Sequence, residues 1–186
     1  MNDLIEILSH PYLVLNAIAR DTYEGETPDN PDTEAFNQRL RSRVKGRHRF
    51  SAEEYKTLRR LLIAFSRKLD RYADKLEAQS APDTPAADLT RLFQHPWLNH
   101  KEILEGLGAR SGLNYYQLYD RLRSRVKADA QASRDLATEL RRFAAWVRER
   151  LEQAHEARKT YVFSNGRGKA SHKGPEIVKK GQATRP

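Results

Sequence analysis

The sequence predicts an all-α fold made of two copies of one helical module, and three observations carry that expectation. The word Arg39-Leu40-Arg41-Ser42-Arg43-Val44-Lys45 recurs unchanged as Arg121-Leu122-Arg123-Ser124-Arg125-Val126-Lys127, an offset of 82 residues. A fixed internal period marks a duplicated structural unit. Apolar residues keep helical spacing over long stretches, above all Leu58, Leu62, Phe65, Leu69, Tyr72 and Leu76, which step by four and three. Finally, no segment shows the period-two alternation of a half-buried strand.

The duplication extends past the seven residues. At the same offset Ser51 falls on Ser133, Leu58 on Leu140, Phe65 on Val147 and Leu69 on Leu151. Upstream the offset is 85, placing His10-Pro11-Tyr12-Leu13 on His95-Pro96-Trp97-Leu98. The chain of 186 residues therefore divides into a first module (1–78), a linker (79–87), a second module (88–159) and a tail (160–186). Modules this small are marginal as separate cores, so the halves are expected to share buried surface.

Taken in order, Asp3 to about Ala19 has helical spacing through Leu4, Ile7, Leu8, Leu15 and Ile18, with Pro11 breaking it or starting a second helix. The His-Pro pairs read as structural joints without chemistry. Arg20 to Thr33, with Gly25, Pro28 and Pro31, reads as a loop. A helix restarts near Thr33 with Phe36, Leu40 and Val44 on one stripe, and Gly46 stops it. Ser51-Ala52-Glu53-Glu54 is a capping box opening a long helix whose seam spans almost three heptads.

Ser80, Pro82 and Pro85 mark the linker. The second module should carry a helix from Ala87 to Gln94, another after Pro96, a break across Gly106–Gly112, and a helix from Asn114 bearing Leu118, Leu122 and Val126. Ser133 should open the last long helix, with Leu136, Leu140, Phe143, Val147 and Leu151 inward and Trp146 beside them. From Thr160 the composition is that of a disordered tail.

Charge narrows the function class. The net charge is +9, and residues 158–186 supply +7 of it through eight Lys/Arg against Glu176. Basicity concentrated in a tail and in local patches suits a polyanionic partner. The chain has no cysteine, so neither disulfides nor a thiolate metal site can form. No apolar run reaches a bilayer's width, and Met1-Asn2-Asp3 does not begin a signal peptide. A cytoplasmic, nucleoid-associated protein is the expectation. With no phosphate loop, no HExxH and no paired carboxylates in an apolar setting, no catalytic residue, metal or cofactor is expected and the chain reads as a non-enzyme.

The basic words then read as recognition helices. Lys101–Gly108, a short turn and Asn114–Lys127 form a helix-turn-helix pattern. In the first module the inner stripe turns Gln38, Ser42 and Lys45 outward, flanked by Arg39, Arg41 and Arg43, all expected to face solvent. Arginine and lysine suit phosphate or guanine, and glutamine suits adenine. Arg47 and Arg49 continue the run, making the first module the stronger anchor. In the second, Ser124 and Lys127 point outward with Arg121, Arg123 and Arg125 beside them, and Asp120 opposes phosphate. Arg167, Lys169, Lys173, Lys179 and Lys180 in the tail offer contacts without sequence information.

A short helix, a turn, a basic helix ending near Gly46, then Phe50-Ser51-x-x-Glu54 opening the next helix, resembles the repressor-type helix-turn-helix proteins of bacteria and phages. The resemblance covers each repeat to about Phe65 and Val147; the loop at 20–33 and three extra residues in the second turn depart from it. It implies a DNA-binding transcriptional regulator or an accessory factor of a bacterial mobile element. The partner expected is nucleic acid, DNA before RNA, with no membrane. A monomer holding an internal pseudo-dimer is favoured over a homodimer, the two long helices pairing through equivalent seams. An RNA-binding protein, or a non-catalytic adaptor that uses its long helices for protein contact, are the alternatives.

Overall fold

Pro11 ends the first helix early and shapes the turn that joins it to the second. The structure, a computed structural model, describes residues 2–23, 33–79, 94–111, 114–122 and 130–166. Among these residues lie seven helices and no strand: α1 (Asn2–Leu8), α2 (Leu15–Tyr23), α3 (Thr33–Val44), α4 (Ala52–Gln79), α5 (His100–Ser111), α6 (Tyr115–Leu122) and α7 (Ala130–Gly166).

Between α1 and α2 the chain makes a tight turn instead of the continuous or proline-initiated helix expected over residues 3–19. His10 Nδ1 accepts the Tyr12 amide at 3.2 Å, so the imidazole takes the place of a backbone acceptor. The second copy repeats this: His95 Nδ1 accepts the Trp97 amide, also at 3.2 Å. Helices α2 and α5 both begin four residues after the proline, at Leu15 and His100. The two turns face each other through an isolated antiparallel bridge between Leu13 and Leu98. Val14 N donates to Trp97 O and Asn99 N to Tyr12 O, each at 2.8 Å.

Each turn docks on the long helix of the other repeat. The His10 ring lies 4.5 Å from Phe143 and 4.8 Å from Trp146, both on α7. The His95 ring lies 5.1 Å from Phe65 on α4. The polar ends of the equivalent aromatics cross over too. Tyr12 Oη donates to Glu139 on α7, and Trp97 Nε1 donates to Asp21 on α2, both at 2.8 Å.

The long helices run antiparallel. Climbing α7 from Arg141 to Arg148, the partners descend α4: Arg141 grips Glu77 with both guanidinium nitrogens and reaches Asp74 (2.7 Å), whereas Arg148 pairs with Asp70 (2.6 Å). Between them the seam residues Leu58, Leu62, Phe65, Leu69 and Leu76 are fully buried, as are Leu140, Phe143, Ala144, Val147 and Leu151 opposite. One apolar cluster draws on both repeats. The heptad spacing sets this, because it keeps one face of each helix turned to its partner over the length of the contact.

Several boundaries differ from expectation for physical reasons. Helix α2 runs to Tyr23, four residues into the segment read as a loop, because Tyr23 is fully buried and holds the helix to its end. Helix α5 continues through Gly106 and Gly108 to Ser111, so these glycines are not the turn. Gly106 packs closely on the other repeat's turn: a Cβ there would lie 2.8 Å from Tyr12 Oη, and the hydroxyl would have to shift. Helix α7 starts at Ala130, and Ser133, read as its start, sits inside the helix, fully buried, with no partner for its Oγ among the described residues. The same helix continues through Gly166, so residues 160–166 are helical where a disordered tail was expected. The linker and the 87–94 helix expectation fall mainly outside the described residues, as do 123–129 and 167–186.

Candidate nucleic-acid interface

The basic word of the first repeat occupies the second half of α3, and the way α3 ends sets its geometry. Gly46 takes φ +70°, a left-handed conformation that glycine adopts at little cost. Arg47 N then bonds Ser42 O and Gly46 N bonds Arg43 O, each at 3.0 Å, closing the helix with the paired Schellman bonds. The chain is thereby turned back through Arg47, His48 and Arg49 toward Ser51. There the expected capping box forms: Glu54 N donates to Ser51 Oγ at 3.1 Å and Ser51 N donates to Glu54 Oε2 at 2.7 Å.

Glu54 does more than cap. Its side chain is 2 % exposed, with Arg39 Nε at 2.9 Å and Arg43 Nε at 3.3 Å. The Tyr23 hydroxyl donates to it at 3.0 Å, and the Arg39 guanidinium lies over the Tyr23 ring, 4.4 Å from its centre. Burial opposes the charge on Glu54. The Ser51 amide, the Tyr23 hydroxyl and the two arginines outweigh it and hold the carboxyl below its usual range. Burial, with the adjacent carboxylate, pushes the Tyr23 hydroxyl well above the ordinary tyrosine range.

This corrects the reading of the flanking arginines. Arg39 and Arg43, whose side chains are 40 % and 20 % exposed, do not stand clear of the protein; they bend back over the α3–α4 junction and pair with a buried acid. Their alkyl stems at the flank of α3 can reach either way, and Glu54 decides the direction. Of the remaining word, Arg41 is exposed and donates to Asn16 Oδ1 on α2 at 3.1 Å. Gln38 is exposed and donates to Glu34 one turn earlier at 3.3 Å. Ser42 is half-buried, with its carbonyl engaged by Arg47. Lys45, Arg47 and Arg49 are exposed.

The outward cations of the basic word and its continuation are therefore Arg41, Lys45, Arg47 and Arg49, gathered at the C-terminal end of α3 and the turn after it. No acidic residue occurs between Ala35 and Ala52. Sequence reasoning gave Glu54 its cap and missed its second role, although an acid four residues after Phe50 and within reach of a basic helix is a visible signal.

In the second module only the start of the corresponding helix is described. Asn114 caps α6 reciprocally with Gln117: Gln117 N donates to Asn114 Oδ1 at 2.9 Å and Asn114 N to Gln117 Oε1 at 3.0 Å. Arg121 falls in the last turn of α6. Arg123, Ser124, Arg125 and Lys127 lie outside the described residues, as do Arg167, Lys169, Lys173, Lys179 and Lys180. At the position equivalent to Glu54 the second repeat has Leu136, fully buried, so no acid stands at that position there.

The two joint histidines are held neutral. Burial, reinforced by the Lys68 ammonium, lowers His95 to about 4. Burial lowers His10 as well, while Glu139 pulls the other way. Among the described residues no group of three or more His, Cys, Asp or Glu is gathered as a metal site would require, and no helix is long and apolar enough to cross a membrane.

Comparison of the chain with family models, with characterised proteins and with solved structures finds no match.

Proposed function

We propose that the protein is a non-catalytic nucleic-acid-binding protein that contacts duplex DNA through the end of α3 and the turn after it. The observation that carries this reading is the set of four exposed cations, Arg41, Lys45, Arg47 and Arg49, on a stretch without an acid. Chains that neutralise phosphates need cations that are not already committed to internal carboxylates. Arg39 and Arg43 are committed, to Glu54. They support the binding surface by fixing α3 on α4, and Gln38 remains the exposed side chain suited to reading a base edge. On this reading the tail adds phosphate contacts, and the protein acts as a regulator or accessory factor on DNA within the cytoplasm. The α4–α7 pairing makes a single chain the binding unit.

The test is anisotropy titration of a labelled DNA duplex with the wild type and with a variant carrying Arg41→Gln, Arg47→Gln and Arg49→Gln. Loss of at least about tenfold in affinity, with the salt slope lowered by about 0.9 per contact removed, is expected. Equal affinity and slope for the two proteins would overturn the assignment. Tighter binding to hairpin RNA than to the duplex would move the partner to RNA.

A further inference from the structure

A second charged surface lies on the far side of α4 from the core, where sequence reading saw only the apolar seam. Lys56, Arg60, Arg67, Arg71 and Lys75 are all exposed. At 100° per residue they fall within an arc of about 100°, centred opposite the buried Leu58–Leu62–Phe65–Leu69–Leu76 face. From Lys56 to Lys75 the stripe is about 29 Å long at 1.5 Å per residue. None of the five side chains makes an ion pair or hydrogen bond among the described residues. Two acids share the arc, Glu53 at its start and Asp74, and Asp74 is already taken by Arg141 at 2.7 Å.

A surface helix often carries charge merely to stay solvated, and the duplication supplies an internal control for that explanation. The equivalent positions on α7, 82 residues on, are Thr138, Arg142, Glu149, Gln153 and Ala157, and all five are exposed. The same scaffold position thus carries +5 in one repeat and no net charge in the other. Solubility does not require the stripe, and neither does the fold, since the five side chains support nothing beneath them.

We propose that this α4 stripe is a second phosphate-binding surface, along which the sugar-phosphate backbone of duplex DNA lies. Three features fit a backbone and not a compact anion. The cations form a line and do not converge on a point. Arg67, Arg71 and Lys75 are spaced about 6 Å apart, close to the distance between neighbouring phosphates on one strand. The line also begins at Lys56, in the first turns of α4, directly after the chain segment that carries Arg47 and Arg49. Being made of long flexible cations on one smooth helix face, the stripe binds every sequence alike and contributes affinity without base readout. The inference rests on the DNA-binding reading above and extends it to a different face.

The experiment uses the full chain and a labelled 30-base-pair duplex, titrated at several salt concentrations. Three variants are compared with wild type: Arg60→Gln, Arg67→Gln and Arg71→Gln together; the same three positions changed to Lys; and a charge-matched control, Lys101→Gln, Arg134→Gln and Arg142→Gln. The glutamine stripe variant should lose at least about tenfold in affinity and about 2.7 from the logarithmic salt slope, from 0.9 per contact. The lysine variant should retain most of both. The loss should be equal for unrelated duplex sequences, and melting should be unchanged. A stripe variant that binds like the control overturns the stripe but leaves the α3 surface standing, because the Arg41, Arg47 and Arg49 variant reports on that separately. A wild type that fails to bind the duplex overturns both.

Discussion

Replacing Glu54 with alanine should destabilise the protein by about 3–5 kcal/mol, and each part of that figure comes from a contact. The carboxylate is 2 % exposed and the Tyr23 hydroxyl it accepts is buried. Leaving such a hydroxyl unpaired costs about 1–3 kcal/mol. The charge-assisted bond from Arg43, whose side chain is 20 % exposed, adds about 1.5 kcal/mol. Arg39 is 40 % exposed, so water replaces much of what it loses and its share is about 0.5 kcal/mol. For a chain of this size each kcal/mol moves the melting temperature by about 2–4 °C, giving a drop near 10 °C. Urea unfolding followed by circular dichroism checks the value, with the midpoint falling at constant slope. Glu54→Gln keeps an acceptor for Tyr23 and should lose about half as much. A Glu54→Ala protein within about 0.5 kcal/mol of wild type, the effect of an ordinary surface change, would refute the hub.

The same contacts give further predictions. Phe65→Ala removes a buried ring that touches His95, Trp97 and Phe143, so it should cost about 3–5 kcal/mol and lower both repeats in one transition; two separate melts would refute the shared core. Gly106→Ala should be neutral or destabilising in the wild type, because the new methyl displaces the Tyr12 hydroxyl. In a Tyr12→Phe background it should stabilise by about 0.5–1 kcal/mol, the usual helix preference for alanine; the same effect in both backgrounds would refute the close approach. His95 titrates near 4 in the folded chain, below the ordinary 6.5, so the unfolded state binds more protons between those values. Stability should therefore fall as pH drops from 6.5 to about 4, and denaturant titrations of His95→Gln should show a shallower fall over that window.

What was legible in the sequence was whatever a single helix decides for itself. The spacing of Leu58 through Leu76 gave α4 and its buried face, Ser51 and Glu54 gave its start, and Gly46 gave the end of α3. These are local relations within a few turns. The repeat also gave the pairing of α4 with α7, because two equivalent apolar faces on one chain must find cover. Beyond that pairing, the individual contacts between modules were not legible. The repeat marks Tyr12 as the counterpart of Trp97 but cannot choose Glu139, 127 residues away, as its acceptor. Gly106 and Gly108 read as a turn because glycine serves both flexible backbone and close packing, and only the neighbour distinguishes them. The pairing of Arg39 and Arg43 with Glu54 was not legible for a similar reason: a flank position fixes the Cβ, and a guanidinium on a long stem goes to the nearest buried acid.

The exchanged turns bear on how such a gene can change. Positions 21 and 106 are equivalent in the two repeats, and each faces the aromatic at the other repeat's turn. Asp21 accepts the Trp97 indole, and Gly106 clears space for Tyr12. A pair of first repeats would press Tyr12 against an aspartate and offer it Thr57, the counterpart of Glu139. A pair of second repeats would leave the Trp97 nitrogen facing glycine. The halves have diverged into complementary partners at these turns, so two copies of either one would lose both contacts. Each copy also carries its own surface, as the contrast between the outer faces of α4 and α7 shows.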